Sequence, residues 1–412
     1  MGCRYLITGL FLSWTTLSHA EALDFIDPLT IYSTHAVASA APAANAKKQF
    51  IHLDSSGRRL IAVSNTTVAV TWEDNRTGQP AIYVAYLLPG AKQFSRARRV
   101  SAEAPAYEPV ITPLPENRFL VAWEESDRVW LRVISPEGNG KIQSLAKSLS
   151  RQVNVSSLAS GVGAAVWAMT QDQQKRDFYI YYAGLRISGL DVEITKPILV
   201  DNSKDRQTQL YPVLSLTSQG RIVVWEDRRQ GATRMFSAYA PLQAAFDSYR
   251  LLNQFAGSPN PKFGHGSGAM RAALASDEQA LVAVTWMDKR NWRSGYDVFA
   301  DISRDGGKTF TGNEKVQDMF ANDIPQWHAS IALRPKDKLI VVAWDDTRND
   351  TPDVFYSLRE NDAWSDDYEL PGATGAADQS HPSIVFDQQG RLHAVWLEST
   401  KQGVSLMYTR SQ

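Results

Sequence analysis

Five polar residues stand at one recurring phase of this chain: Glu108 in YEPVI, Tyr211 in LYPVL, Arg271 in MRAAL, His328 in WHASI and His381 in SHPSI. Each opens a short apolar run. In an earlier run Arg58 or Arg59 stands nearest this phase, and another run offers only Asn154. Carboxylates follow three of them: Glu226 after Tyr211, Asp288 after Arg271 and Asp345 after His328. If each pair spans a hairpin, its members are cross-strand neighbours. A tyrosine beside a carboxylate can be an activated nucleophile or a proton donor. A histidine oriented by an aspartate can act as a general base near neutral pH. Arg271, with Arg58 or Arg59, can grip a carboxylate in a fork.

Trp327, next to His328, offers a flat face on which a sugar ring can stack. His265 and Lys262 lie in NPKFGHGSG, a Gly-rich loop suited to cover a site. The expected catalytic set is therefore Tyr211, Glu226, His328 and Asp345. The expected binding set is Arg271, His381, Glu108, Trp327 and His265. Imidazoles suit zinc, but His265, His328 and His381 belong to separate repeats and should stand far apart, so neither a metal nor a cofactor is expected. His393 lies inside a strand and reads as packing; His35 and His52 have no evident partner.

These residues need a repeating scaffold, and the chain contains one. An apolar run, a Trp, an acidic pair, often an Arg and a second apolar-aromatic run recur as VAVTWEDNRTGQPAIYVAY, FLVAWEESDRVWLRV and RIVVWEDRRQGATRMFSAY. LVAVTWMDKRNWRSGYDVFADIS and LIVVAWDDTRNDTPDVFYS repeat the unit, and AAVWAMTQDQQKRDFYIYY and RLHAVWLESTKQGVSLMYT are weaker copies. Trp72, Trp123, Trp167, Trp225, Trp286, Trp344 and Trp396 mark the register, at a spacing of roughly one four-stranded propeller blade. The expected fold is all-β: a single seven-bladed propeller of four-stranded antiparallel blades. In each blade the first strand leaves one face and the second returns to it, ending at the Trp. The varied polar residues then ring one mouth of the central channel, while the repeated acid–Arg motif braces loops.

One stretch punctuates the pattern. In DISRDGGKTF, Ser303 and Asp305 can hydrogen-bond the turn's own amides, Gly307 reaches turn geometry, and Thr309-Phe310 restart a strand. LLPGAKQFS and SLRENDAWS are worn copies of it. Ser303-x-Asp305-x-Gly307-x-Thr309-Phe310 resembles the Asp-box of the bacterial neuraminidase repeat, and the Trp-Asp/Glu-x-x-Arg units resemble blades of the sialidase-like superfamily. The resemblance covers residues 50–412 and implies a carbohydrate-directed propeller whose Asp-box is a structural clip on the far face. The early Phe/Tyr-Arg-Ile-Pro motif of true sialidases is missing, and there are seven units rather than their six.

Composition bounds the rest. The chain has 412 residues, and 43 basic against 44 acidic side chains leave a net charge of −1. That balance gives no sign of a nucleic-acid partner. Residues 1–20 have one Arg, an apolar centre and a Ser-His-Ala ending, the pattern of a cleaved export signal. The single cysteine, Cys3, would leave with it. Residues 21–50 read as a strand at 25–32, able to supply the outer strand that the last blade lacks, and then a small-residue linker. Residues 51–412 are the propeller. The sequence thus points to a periplasmic or secreted glycosidase or polysaccharide lyase acting on an acidic glycan. The alternative is a non-catalytic propeller that binds or assembles protein partners.

Overall fold

The computed structural model describes residues 21–34, 49–53, 58–172, 174, 177–254, 268–290, 295–310, 312–321 and 323–412. Seven antiparallel sheets, each of four principal strands, form the blades of a propeller. The second strand of each blade lies between neighbouring blades and is covered on both sides, which is why it reads as a near-continuous apolar run. Thr67–Asp74 is buried along its whole length, and all seven marker Trp side chains are fully buried.

The repeated motif is explained by what the Trp touches. Trp72, Trp225 and Trp286 stack on Tyr83, Phe236 and Phe299 of the third strand, at centroid separations of 6.3, 6.3 and 6.4 Å. An Arg lies over each outer ring: Arg76 over Tyr83 at 4.1 Å, Arg229 over Phe236 at 4.8 Å and Arg290 over Phe299 at 3.7 Å. The second acid of the pair ties the layers together. Asp74 accepts the Trp72 indole N–H at 2.8 Å and pairs with Arg76, and Asp288 accepts from Trp286 at 2.9 Å and from Arg290 at 2.7 Å. This acid–Arg motif is scaffold, as its recurrence indicates.

The outermost strand of the seventh sheet is Leu29–Ser33, antiparallel to Val404–Arg410. It begins later than the 25–32 stretch read from sequence, and Phe25 makes only an isolated bridge to Ser411. The Ser303 turn joins the third and fourth strands of blade five. Ser303 Oγ accepts the Gly307 amide at 2.8 Å, and Asp305 accepts from the Thr309 amide at 2.9 Å and its hydroxyl at 2.6 Å. Gly307 has φ +95°, and a Cβ there would stand 2.8 Å from Ile222 of blade four, so only glycine lets the two blades meet. Phe310 packs, half-buried, on the core between those blades.

At the other end of the blades, six inner strands carry the same irregularity. Glu108, Gln152, Tyr211, Arg271, His328 and His381 have φ between 50° and 57°. Each sits in a register shift opposite the marker Trp, for example between Leu210 and Val213. In blade one His52 pairs with Glu73 and Ile61 with Val70. The expected phase therefore holds in five blades but is corrected in blade three. There Gln152, not Asn154, occupies the bulge, because Asn154 already pairs with Val166 inside the strand.

Candidate functional site

In four blades the left-handed bulge turns the amide towards the preceding blade, where the acid after the marker Trp accepts it. Gln152 N donates to Glu124 at 2.6 Å, Arg271 N to Glu226 at 2.8 Å, His381 N to Asp345 at 2.9 Å and Glu108 N to Glu73 at 3.2 Å. In blade three Ala168 follows the Trp and offers no acceptor, so Gln152 Oε1 itself takes the Tyr211 amide at 3.0 Å. These bonds stitch neighbouring blades together at their inner strands.

Between blades four and five the result is a compact trio. Arg271 Nη1 donates to Glu226 Oε1 at 3.0 Å, and its guanidinium lies 3.2 Å from the centre of the Tyr211 ring. Glu226 is thus bonded to Arg271 of the next blade, in place of the pairing with Tyr211 expected from sequence. The expected Arg271–Asp288 pair does not form, because Asp288 is held by Trp286 and Arg290. Burial raises Glu226 above the ordinary carboxylate range, against the opposing pull of Arg271. A cleft of roughly 700 Å³ opens over the trio, walled also by Arg228, Lys289 and Tyr296. Its acids are matched within the fold, Glu226 by Arg271 and Asp227 by Arg229. Arg228 and Lys289 are therefore left to make the cleft electropositive.

Between blades six and seven the trio is different. His328 Nδ1 lies 2.7 Å from Asp345 Oδ1, the pairing read from sequence. The His328 and His381 rings stack at 3.6 Å with 21° between planes. The expectation that residues of separate blades stand far apart is corrected here. Inner strands converge near the axis closely enough to bond directly, as Ile384 N does to Ser330 Oγ at 3.1 Å. His52 also has partners: Glu73 at 3.6 Å and the edge of His381 at 6.3 Å between centroids.

The remaining expectations divide. Arg58 does not form a fork with Arg271. It is spent on Glu108 at 2.8 Å and Glu124 at 3.3 Å, with 6% of its side chain exposed. Glu108 is accordingly a bracing acid of the rim. Arg59 points into the channel, where desolvation lowers it and Glu278 opposes the shift. Trp327 is 37% exposed and meets Tyr296 at 5.2 Å, forming an aromatic ledge between the two trios. His393 is buried against Tyr408 and Asp387, as packing requires. His265, Lys262 and His35 lie outside the described residues. Sequence reasoning missed Gln152, although it lies as far before Trp167 as Glu108 lies before Trp123. It also missed Lys289 and Tyr296, which only folding brings to the cleft.

No protein-family model and no curated protein sequence matches the chain. Solved structures do. The chain is similar to the β-propeller domain of the Trilobed protease from Pyrococcus furiosus, at 10% identity and TM-score 0.51, over 88% of this chain and 95% of that one. It is similar to an α-L-arabinofuranosidase of Fusarium graminearum, at 11% identity and TM-score 0.50, over 94% and 98%. A Trypanosoma rangeli sialidase aligns at 9% identity and TM-score 0.49, over 85% of this chain and 59% of that one. At such identities the likeness shows the propeller fold alone.

Proposed function

We propose that this chain is an exported, glycan-directed propeller that takes an acidic sugar at the bulge-bearing mouth and acts on it. The observation that carries this reading is the cleft over Tyr211, Glu226 and Arg271, in which internal pairing leaves Arg228 and Lys289 for an anionic ligand. The Tyr296–Trp327 ledge beside it fits the apolar face of a sugar ring. In a hydrolytic reaction Glu226, raised by burial, would donate its proton to the leaving oxygen as water attacks the glycosidic carbon. Tyr211 would help position the reacting group, and Arg271 would hold both Glu226 and the substrate's carboxylate. The Ser303–Phe310 turn is read with the Asp-box, a clip on the opposite face.

A second reading has its own support. Arg271 and Glu226 pair with each other, and the Tyr211 ring is covered by the guanidinium, an arrangement that also suits a rigid binding surface without turnover. The test is to screen the mature protein against acidic glycans, recording reducing ends and unsaturated-uronate absorbance together. For an enzyme, Glu226→Gln should lower the rate by at least about 100-fold, and the parent's rate should fall as pH rises past Glu226's raised titration. Binding that saturates without either product would establish the second reading. Absence of both binding and turnover across acidic glycans would remove glycans from consideration. Sequencing the amino terminus of exported protein tests the signal; an intact residue 1 would refute cleavage.

A further inference from the structure

Asp345 and Glu73 differ from most buried acids of this rim. Glu226, Asp227, Asp288 and Asp346 each pair with an Arg, whereas among the described residues Asp345 and Glu73 have only imidazoles as ionic partners. Asp345 is 4% exposed; its bonds with His328 and His381 both go to Oδ1, and Oδ2 takes no protein hydrogen bond among the described residues and keeps access to solvent. A buried carboxylate without a permanent cation calls for one. Two imidazoles are already in place beside it. One ligand atom each from His328, Asp345 and His381 lies within 4.8 Å of the other two.

We propose that His328, His381 and Asp345 bind a divalent transition ion of the zinc class at the channel mouth. Two imidazole nitrogens and one carboxylate oxygen make a borderline-soft donor set that leaves positions open for water or a ligand. Zinc bond lengths of about 2.0–2.2 Å place tetrahedral ligand atoms roughly 3.3 Å apart. His381 is held to Asp345 by its backbone amide and His328 by its ring, so the ligand atoms have only to close from within 4.8 Å to that spacing. His52 and Glu73, the next imidazole and carboxylate along the rim, form an outer layer around His381. Hard cations such as Ca²⁺ would want more oxygen donors than this set supplies. In this assignment His328 is a ligand and not a general base.

The test uses the full mature protein without a polyhistidine tag, stripped with chelator and titrated with Zn²⁺ by calorimetry and against a chromophoric chelator. We expect one equivalent bound with micromolar or tighter affinity, and a melting temperature that rises with Zn²⁺. His328→Ala and His381→Ala should each weaken binding by about 100-fold, and Asp345→Asn by about 10-fold or more. The histidine variants carry the test if Asp345→Asn fails to fold. Their melting temperatures in chelator should match the parent's, which separates lost ligation from lost structure. No binding up to about 1 mM free Zn²⁺ would overturn the proposal and leave His328–Asp345 as a hydrogen-bonded dyad. Unchanged affinity in both histidine variants, or preference for Ca²⁺, would overturn it equally.

Discussion

The junction of blades four and five and the junction of blades six and seven share one backbone device and differ in what they hang on it. Arg271 and His381 have φ of 56° and 57°, and each donates its amide to the acid after the previous blade's Trp. At the first junction the side chains are a guanidinium over a phenol ring; at the second they are two stacked imidazoles. The bulge and its acid are therefore scaffold, used whatever the side chain. Chemistry enters through the residue that the left-handed position displays. A strained φ costs of order 1–3 kcal/mol and persists only where surrounding bonds hold it. Here the inter-blade hydrogen bond is the compensating contact.

Removing the acid at each junction is the strongest way to break this comparison. Glu226→Leu strands the Arg271 guanidinium as well as an amide, and should cost about 3–5 kcal/mol in denaturant unfolding. Asp345→Leu strands an amide and an imidazole, and should cost about 1–3 kcal/mol. Equal losses would mean that the amide bond alone matters and that the cation contributes nothing.

A milder change sharpens the comparison. Tyr211→Leu removes the ring beneath Arg271 and should cost about 0.5–2 kcal/mol, whereas Tyr211→Phe should leave stability unchanged. A phenylalanine variant as weak as the leucine one would shift the weight from ring to hydroxyl.

pH separates the junctions in a further way. Burial raises Glu226 in the folded state, so folding binds its proton more tightly than the unfolded chain does. Its contribution to stability is therefore largest at low pH and declines as pH rises from the ordinary glutamate value through the raised one. Glu226→Gln should flatten the stability profile in that window; an unaltered slope would refute the assigned shift.

The smallest effect is expected on the opposite face. Asp305→Ala removes three acceptor contacts in a half-buried turn and should cost about 1 kcal/mol, by analogy with helix caps, without changing any affinity at the mouth. Lost affinity at full stability would place the site on the wrong face.

The seven blades were legible because each Trp unit repeats a complete local instruction: a two-sided apolar strand, an aromatic partner across it, and an acid–Arg clamp. Such contacts lie within one hairpin, so linear spacing encodes them. The phase of the mouth residues was legible for the same reason, and counting back from the Trp would have recovered Gln152 as well. The His328–Asp345 contact followed because both residues belong to one blade. The contacts that sequence reasoning misassigned and that cross between blades are Arg271 on Glu226 and not Asp288, Arg58 on Glu108 and Glu124, His381 on His328, and His52 beside His381. Local pattern determines each blade and which residues it displays at its inner end. Which displayed residues meet depends on the twist of each sheet and on how closely inner strands approach the axis. Those are properties of the closed ring, and only the tertiary structure decides them.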